Sequence, residues 1–283
     1  MQMPCSAGVH SAQFVYGEAM TNTNIIIAGA GGRMGKAIAT TATGMKEITI
    51  SGAVDAGNSP VIGLDVGRVA GVDPLEVLVT PSNTSLPDGD VMIDFTIPAA
   101  SLALVRKCAA AGTAMVIGTT GYSESETAEI EALSQDIAIM KSGNMSLGIN
   151  LLMELVKDAA ARLGNGFDIE IHEAHHHHKI DAPSGTALML GDAAAAGRGV
   201  SLNDVSAHDK TGARKEGSIG FSVTRGGGII GDHDVAFVSP AEMLTLSHRA
   251  LDRSLFAHGA LVAAQWVKDK SPGLYSMADV LNR

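Results

Sequence analysis

The sequence predicts an α/β protein: a first domain built on a parallel β-sheet, and a second α+β domain with a mixed or antiparallel sheet. Three observations predict this division. In the first half of the chain, short β-branched runs alternate with helical segments, as in repeated βαβ units. After about residue 147, several strand-like segments follow one another without helices between them. The scarcity of aromatic residues (4%) and the 33 glycines suit helices packed closely on a parallel sheet.

The expected elements follow from apolar runs and their flanking glycines and prolines. In the first domain, strands are expected at 24–28, 48–54, 91–95, 114–117 and 137–140, and helices at 36–43, 98–111 and 123–134. In the second part, helices are expected at 147–163, 187–196 and 254–268, and strands at 167–173, 217–225, 229–238 and 243–247. The strand at 167–173 alternates apolar and polar residues, which is typical of a half-exposed sheet.

Composition and charge exclude several classes of protein. The 283 residues carry a formal net charge of −10, which disfavours a nucleic-acid partner. A hydrophobic content of 46% excludes global disorder, and no apolar run reaches the roughly 18 residues needed to span a bilayer. Cys5 and Cys108 are too few for a disulfide framework or a zinc site, so a reducing compartment is expected. Residues 1–22 lack the features of a secretory signal and are expected to be a disordered or non-native leader.

A glycine-rich turn lies between the first expected strand and the first expected helix. Residues 29–35 read GAGGRMG, and glycines there permit a tight turn and a close approach of the backbone to a pyrophosphate. The helix N-terminus would supply N–H groups and a positive dipole end. The spacing departs from G-x-G-x-x-G, because the last glycine of that fingerprint would fall at residue 34, whereas the chain has glycine one residue later, at Gly35. The turn indicates a Rossmann-type dinucleotide site, and the alternative is a tight turn without a ligand.

An acidic residue at the end of the second strand bears on the choice of cofactor. Asp55 follows Gly31 by 24 residues, close to the offset of about 20 expected for an acid that binds ribose. A carboxylate there bonds the 2′-hydroxyl of NAD and repels the 2′-phosphate of NADP. Ala56 and Gly57 add no positive charge, and Arg33 is the nearby guanidinium. We therefore expect NADH to serve at least as well as NADPH.

Four consecutive histidines, 175–178, precede Lys179. Histidine titrates near neutral pH and can give or accept a proton, while Lys179 can supply a proton or a positive charge. A metal site is a second interpretation, but adjacent histidines on an extended chain point to opposite faces, so at most two could share one ion. A solvated polar loop is the third. We predict no metal site, and the segment alone leaves acid–base chemistry and a polar loop equally open.

The segment that follows leads into the helix expected at 187–196. Ser184 or Thr186 is therefore an N-cap candidate, and the N–H groups of Gly185 and Thr186 lie where an anion binds. A histidine and lysine cluster that ends at a helix N-terminus favours a carboxylate-binding site. The capping role of Ser184 would hold with or without a ligand.

Five motifs, in order along residues 23–283, together resemble the 4-hydroxy-tetrahydrodipicolinate reductase family, also called dihydrodipicolinate reductases. The motifs are GAGGRMG (29–35), DFT (94–96), GTTG (118–121), EAHHHHKIDAPSGTA (173–187) and RGGGIIGDH (225–233). The block at 173–187 is highly specific to the family, whereas the glycine turn alone is not. The unusual glycine spacing is the family's own form.

The resemblance implies an NAD(P)H-dependent oxidoreductase of lysine and diaminopimelate biosynthesis, cytoplasmic and homotetrameric. It implies hydride transfer from nicotinamide to a cyclic imine dicarboxylate, giving tetrahydrodipicolinate. His175 would be the catalytic proton donor and acceptor, and Lys179 the second proton donor. Contacts to the substrate carboxylates would come from His176, Gly185 and Thr186. Cofactor contacts would come from Gly29, Ala30, Gly31, Gly32, Arg33, Met34, Asp55, Gly118, Thr119, Thr120, Ser142, Gly143, Asn144 and Met145.

These observations divide the chain after the leader into three parts. Residues 23–146 are expected to bind the dinucleotide, 147–256 to bind substrate and form the oligomer, and 257–283 to return to the first domain as a helix. We expect a small dicarboxylate substrate and neither a nucleic acid nor a membrane as partner. A sugar or inositol dehydrogenase and a dinucleotide sensor without turnover are the competing functions.

Individual positions leave alternatives. Ala56 stands where some family members carry a basic residue that helps NADP, and Met145 where some carry an aromatic residue. Arg253 could reach a substrate carboxylate or pair with an acid at a domain interface, and the interface is favoured. The roles of His177, His178 and His233 stay open.

Overall fold

The computed structural model describes residues 22–208 and 211–282. Within these ranges the strands are β1 (Thr23–Ala28), β2 (Ile48–Asp55), β3 (Val79–Pro81), β4 (Val91–Asp94), β5 (Ala114–Ile117), β6 (Ala138–Lys141), β7 (Asp168–His175), β8 (Ser206–Ala207), β9 (Ile219–Arg225), β10 (Asp232–Val238), β11 (Met243–Arg249) and β12 (Gly273–Tyr275). The predicted leader at 1–22 lies, except for its last residue, outside the described residues.

The helices alternate with the strands through the first half of the chain and are fewer in the second. They are α1 (Arg33–Ala42), α2 (Val66–Ala70), α3 (Pro98–Ala111), α4 (Glu124–Leu133), α5 (Leu147–Leu163), α6 (Gly185–Gly197), α7 (Leu202–Val205), α8 (Ser254–Val267) and α9 (Met277–Leu281), with a 3-10 turn at Gly164–Gly166. In the described part of the chain, none of the helices combines the length and apolarity needed to cross a membrane.

Seven parallel strands form the first sheet, in the order β12-β6-β5-β4-β1-β2-β3. Helices cover both faces of this sheet, so its central strands are apolar on both sides, as the fully buried run of Ile25, Ile26 and Ile27 in β1 shows. The five strands expected from the sequence are all present. This sheet confirms the predicted Rossmann-type architecture.

The second sheet is mixed, in the order β11-β10-β7-β9-β8. β10 runs antiparallel to β7 and β11, whereas β7, β9 and β8 are parallel to one another. One face packs on α5 and α6 through buried residues that include Ile169, Ile171 and Phe237. The predicted α+β domain with a mixed sheet is therefore confirmed. β7 extends two residues beyond the expected end at 173 and so includes His175.

The end of the chain packs on the first sheet. Six small or apolar residues of α8 are fully buried in the core of that sheet, and β12 adds a parallel strand beside β6. Gly259 lies so close to the carbonyl of Met145 that a Cβ there would overlap it. The loop after β6 and α8 are therefore in direct contact through Met145 and Gly259.

Candidate active site

The glycine turn after β1 is packed tightly against itself. Gly29 has a φ of +71°, in the left-handed region that favours glycine, and a Cβ on Gly35 would lie 2.8 Å from the Cα of Ala30. α1 begins at Arg33, three residues earlier than expected, because the turn closes at once into a helix. Among the described residues, none caps this helix through a side chain. The turn therefore fits the phosphates of a dinucleotide, which would bind to the backbone N–H groups of the turn and of the first turn of α1.

Asp55 lies beside the glycine turn, as its position at the end of β2 predicts. Its Oδ2 accepts a hydrogen bond from the backbone N–H of Gly31 at 2.7 Å, and its Oδ1 accepts one from the N–H of Ala56 at 2.7 Å. A Cβ on Gly31 would lie 2.9 Å from Oδ2 and 3.1 Å from Val61. The glycine turn and Asp55 are thus joined directly, with Asp55 in contact with the backbone of the turn.

The loop after β5 is fixed by a buried carboxylate at the end of β4. Asp94 accepts hydrogen bonds from the hydroxyls of Thr96 (2.6 Å) and Thr119 (2.8 Å), and burial raises the pKa of Asp94. Thr119 also accepts the backbone N–H of Thr96 at 2.8 Å. The hydroxyl of Thr119 is therefore used to join the two loops. Gly118 has no room for a side chain, because a Cβ would overlap the ring of Phe95.

The loop after β6 connects the two domains. Asn144 donates from Nδ2 to the hydroxyl of Thr186 at 3.0 Å and accepts the N–H of Ser146 at 2.8 Å. Ser142 donates its hydroxyl to the carbonyl of Asn144 at 2.7 Å. Ser184 caps α6, which begins at Gly185, by accepting the N–H of Ala187 at 3.1 Å. The loop therefore places the first turn of α6 opposite the carboxyl ends of the parallel strands.

A cavity of about 300 Å³ lies between these loops and the histidine segment. The predicted site residues that line it are Met34, Gly118, Ser142, Gly143, Asn144, Met145, His175, His176, Lys179 and Thr186. The other predicted residues lie outside its lining: Gly29, Ala30, Gly31, Gly32, Arg33 and Asp55 around the glycine turn, Thr119 and Thr120 in the loop after β5, and Gly185 at the start of α6. The predicted set thus extends from the glycine turn to the histidine segment.

His175 is the last residue of β7 and belongs to a buried ionic network. Its Nδ1 lies 2.6 Å from Oε2 of Glu173, and the guanidinium of Arg225 bonds both oxygens of that carboxylate at 2.7 and 2.8 Å. The His175 ring also packs edge-on against His233, with centroids 5.2 Å apart. Burial and the nearby His175 lower the pKa of His233 to about 4. At neutral pH, His233 is therefore uncharged.

His176 and Lys179 are held in a turn that follows β7. The N–H of Lys179 bonds the carbonyl of His176 at 3.1 Å, and its Nζ pairs with Asp181 at 3.0 Å. Burial and the charge of Arg253 lower the pKa of His176. This cavity wall therefore carries cationic and hydrogen-bonding groups suited to an anionic ligand. Within the described ranges, no group of three His, Cys, Asp or Glu side chains is placed to hold a metal ion.

Sequence reasoning assigned no role to several residues around this cavity. Phe95, Ile230 and Phe256 also line it, and Glu173 contacts the Nδ1 side of His175. Arg253, for which a domain interface was favoured over a substrate carboxylate, lines the cavity as well. Glu173 and His175 are two residues apart on one strand, so their side chains share a face, and this signal was available in the sequence. The position of Arg225 depends on the pairing of β7 with β9, which the sequence does not reveal.

A Rossmann-type sheet with histidine and lysine side chains beside the loops at its carboxyl edge is the arrangement expected of a nicotinamide-dependent oxidoreductase. Comparison with known families agrees. Residues 23–145 match the model of the dihydrodipicolinate reductase N-terminus, and residues 148–281 match that of its C-terminus. The chain therefore belongs to the dihydrodipicolinate reductase family.

Individual relatives named 4-hydroxy-tetrahydrodipicolinate reductase align with this chain over nearly their whole length. The chain is 51% identical over 266 residues to the 4-hydroxy-tetrahydrodipicolinate reductase of Rhodopseudomonas palustris (strain BisB5), which covers 93% of this chain and 98% of that relative. It is 50% identical over 266 residues to the reductase of that name from Bradyrhizobium diazoefficiens, with coverage of 93% of this chain and 98% of the relative.

Solved structures show the same fold. The dipicolinate-bound dihydrodipicolinate reductase from Paenisporosarcina sp. TG-14 superimposes with a TM-score of 0.73 at 24% identity, over 90% of this chain and 98% of that one. An amine dehydrogenase from Mycobacterium smegmatis superimposes with a TM-score of 0.57 at 14% identity, over 91% of this chain and 95% of that one. The likeness to this amine dehydrogenase therefore shows a shared fold.

Proposed function

We propose that this protein reduces 4-hydroxy-tetrahydrodipicolinate to tetrahydrodipicolinate by way of dihydrodipicolinate, consuming NADH or NADPH and one proton and releasing water. The observation that carries the proposal is the shared cavity, in which His175, His176 and Lys179 face the loops at the carboxyl ends of β5 and β6. Relatives about half identical in sequence are named for this activity. The nicotinamide supplies the hydride when it is bound.

In this proposal, the side chains of the second domain bind the substrate and move protons. His175 and Lys179 donate protons, because both line the cavity and both can carry a transferable proton. His176 and the N–H groups of Gly185 and Thr186 bind the substrate carboxylates at the N-terminus of α6. A dicarboxylate explains why cationic groups and a helix N-terminus converge in a chain whose net charge is −10.

The first domain binds the cofactor. The glycine turn, with Gly29, Ala30, Gly31, Gly32, Arg33 and Met34, would hold the pyrophosphate, and Asp55 the ribose of the adenosine half. The loops at 118–120 and 142–145 would hold the nicotinamide half. NADH is proposed to serve at least as well as NADPH, because Asp55 repels a 2′-phosphate and Ala56 provides no compensating charge.

The assembly is proposed to be a cytoplasmic homotetramer formed through the second domain. The exposed strand β11 supports such an interface, because Met243 is 66% and Leu244 43% exposed at the edge of the mixed sheet. Light scattering behind size-exclusion chromatography tests this by the mass of the assembly. A mass of one chain, independent of concentration, would contradict it.

Initial rates with NADH and with NADPH test the activity, with substrate generated in situ from pyruvate and aspartate semialdehyde by the preceding synthase. The wild type should oxidise cofactor, and His175→Ala and Lys179→Ala should each lose about 10²- to 10⁴-fold in kcat. His178→Ala is the matched control, since His178 is exposed and lies outside the cavity lining. Cofactor binding without oxidation would contradict the proposal and favour a dinucleotide sensor.

A further inference from the structure

Glu173 is a buried carboxylate directly behind His175, and the proposed function gives it no role. Its side chain is 1% exposed. Four donors point at its two oxygens: Nδ1 of His175 (2.6 Å), Nη1 and Nη2 of Arg225 (2.8 and 2.7 Å), and the backbone N–H of Ser184 (2.9 Å). A carboxylate bonded on both oxygens in this way is fixed in position.

The surroundings keep Glu173 ionised. Burial alone would raise the pKa of Glu173, but hydrogen bonds from Arg225 and His175 bring that pKa below its usual value. Arg225 is itself anchored, because Nη2 also donates to the carbonyl of Asp181 at 2.7 Å. A full negative charge therefore lies against the imidazole ring of His175.

The contact with Glu173 decides which nitrogen of His175 is engaged and which is left unengaged by that carboxylate. With Nδ1 donating to Glu173, the proton of the neutral ring sits on Nδ1, and Nε2 is left for exchange with a ligand. Gly231 preserves the space around Nε2, since a Cβ there would lie 3.1 Å from that nitrogen. Glu173 thus orients the ring, and the absence of a side chain at Gly231 leaves Nε2 uncrowded on that side.

We infer that Glu173, fixed by Arg225, is the positioning residue for His175: it sets the ring tautomer, and its charge stabilises the imidazolium form that a proton donor requires. The inference rests on the proposed function, in which His175 donates a proton. Glu173 and Arg225 would then contribute to the reaction through His175, without touching the substrate themselves.

The other groups around His175 do not replace this carboxylate. His233, on β10, is neutral at pH 7, and Asp181 is paired with Lys179. Among the described residues, the other charged or titratable groups of the cavity lining and of the Glu173 and His233 contacts are cationic or can become so: Arg225 on β9, His176 and Lys179 after β7, His248 on β11, and Arg253 before α8. Removal of the charge on Glu173 should therefore disfavour the imidazolium.

The pH profile of kcat/KM in Glu173→Gln tests the inference. We expect kcat to fall roughly tenfold to a hundredfold, less than the loss of the acid itself, and the high-pH limb to move to lower pH. Glu173→Asp keeps the negative charge but, with one methylene fewer, places the carboxylate farther from His175. It should return the high-pH limb toward its wild-type position while kcat stays lowered. Glu170→Gln, on the same strand and paired with Arg214, is the matched control and should leave the limb unchanged.

Modification by diethyl pyrocarbonate provides a readout that needs no turnover. The reagent attacks neutral imidazole, so its rate at His175 against pH, localised by fragment-ion mass spectrometry, follows the protonation of that ring. In Glu173→Gln the rise of this rate should move to lower pH, and Glu170→Gln should match the wild type.

A wild type that oxidises neither cofactor would overturn the proposed function, while the modification profile would still decide the role of Glu173. Coincident profiles for Glu173→Gln and the wild type would overturn the inference and leave Glu173 a structural residue.

Discussion

The carboxylate of Asp55 accepts the backbone N–H of Gly31 at 2.7 Å, which ties the end of β2 to the glycine turn. The second oxygen accepts the N–H of Ala56, so the acid is held from two sides. Any ribose bound at this edge meets a fixed negative charge. Position 56 is exposed and directly adjacent, so it is where an added charge would act on a 2′-phosphate.

Ala56→Arg should shift cofactor use toward NADPH. A guanidinium beside Asp55 offsets its repulsion of the 2′-phosphate and adds a charged hydrogen bond worth about 1.5–3 kcal/mol. The ratio of kcat/KM for NADPH to that for NADH should rise roughly tenfold or more. Ala56→Gln, of similar reach without charge, should leave the ratio near the wild-type value. An equal response to both substitutions would show that charge at this position does not govern selectivity.

Gly35→Ala should damage the glycine turn. The added Cβ would lie 2.8 Å from the Cα of Ala30 and still closer to the carbonyl of Gly29, so backbone must shift. We expect the free energy of unfolding to fall by about 1–3 kcal/mol and the affinity for NADH to weaken, measured by urea denaturation and fluorescence titration. Gly44→Ala is the matched control, because its Cβ would lie 3.6 Å from the nearest atom, the carbonyl oxygen of Thr41. Unchanged NADH affinity in Gly35→Ala would contradict this reading of the turn.

The sequence predicted those elements whose stability is local. α3 has the expected bounds, Pro98–Ala111, because proline starts it and Gly112 ends it in a left-handed conformation. The short elements β3, β8, β12, α2, α7 and α9 were not predicted. β3 and β12 are edge strands of three residues each, whose pairing with β2 and β6 depends on partners distant in the chain.

In the candidate site, too, contacts between residues close in sequence could be predicted, whereas contacts that depend on strand pairing could not. Histidine, lysine and the cap of α6 lie within one continuous segment, so their proximity could be predicted. The pair of hydrogen bonds from Arg225 to Glu173 joins residues 52 apart in the chain. It becomes evident only when β9 pairs with β7. Arg253 was expected to pair at a domain interface, and the structure places it in the lining of the cavity.

Arg253→Met should weaken substrate binding. Arg253 lines the cavity with His176 and Lys179, and its charge already lowers the pKa of His176. Loss of a charged hydrogen bond to a carboxylate costs about 1.5–3 kcal/mol, so the KM for the dicarboxylate should rise roughly tenfold or more while the KM for NADH changes little. Arg106→Met is the control, since Arg106 pairs with Glu129 on the surface of the first domain. A wild-type KM for substrate in Arg253→Met would return Arg253 to a structural role.

The buried imidazole of His233 should make the folded protein sensitive to mild acid. Burial and the nearby His175 lower the pKa of His233 from about 6.5 to about 4. Below pH 6.5 the unfolded chain takes up a proton here that the folded chain does not accept until about pH 4, so stability is full above pH 6.5 and is lost progressively toward pH 4. This residue alone should account for about 2–3 kcal/mol of the loss between pH 7 and pH 4.5.

Urea denaturation at these two pH values, in the wild type and in His233→Gln, measures that contribution. Glutamine can keep the hydrogen bond that Nε2 of His233 makes with the hydroxyl of Ser184 at 3.3 Å, but it does not titrate. His176 and His248 also have lowered pKa values and are unchanged in both proteins, so the difference between the two pH dependences isolates His233. The variant should therefore lose less stability on acidification than the wild type, and equal losses would mean that His233 is already protonated, or free to become so, in the folded protein at pH 4.5.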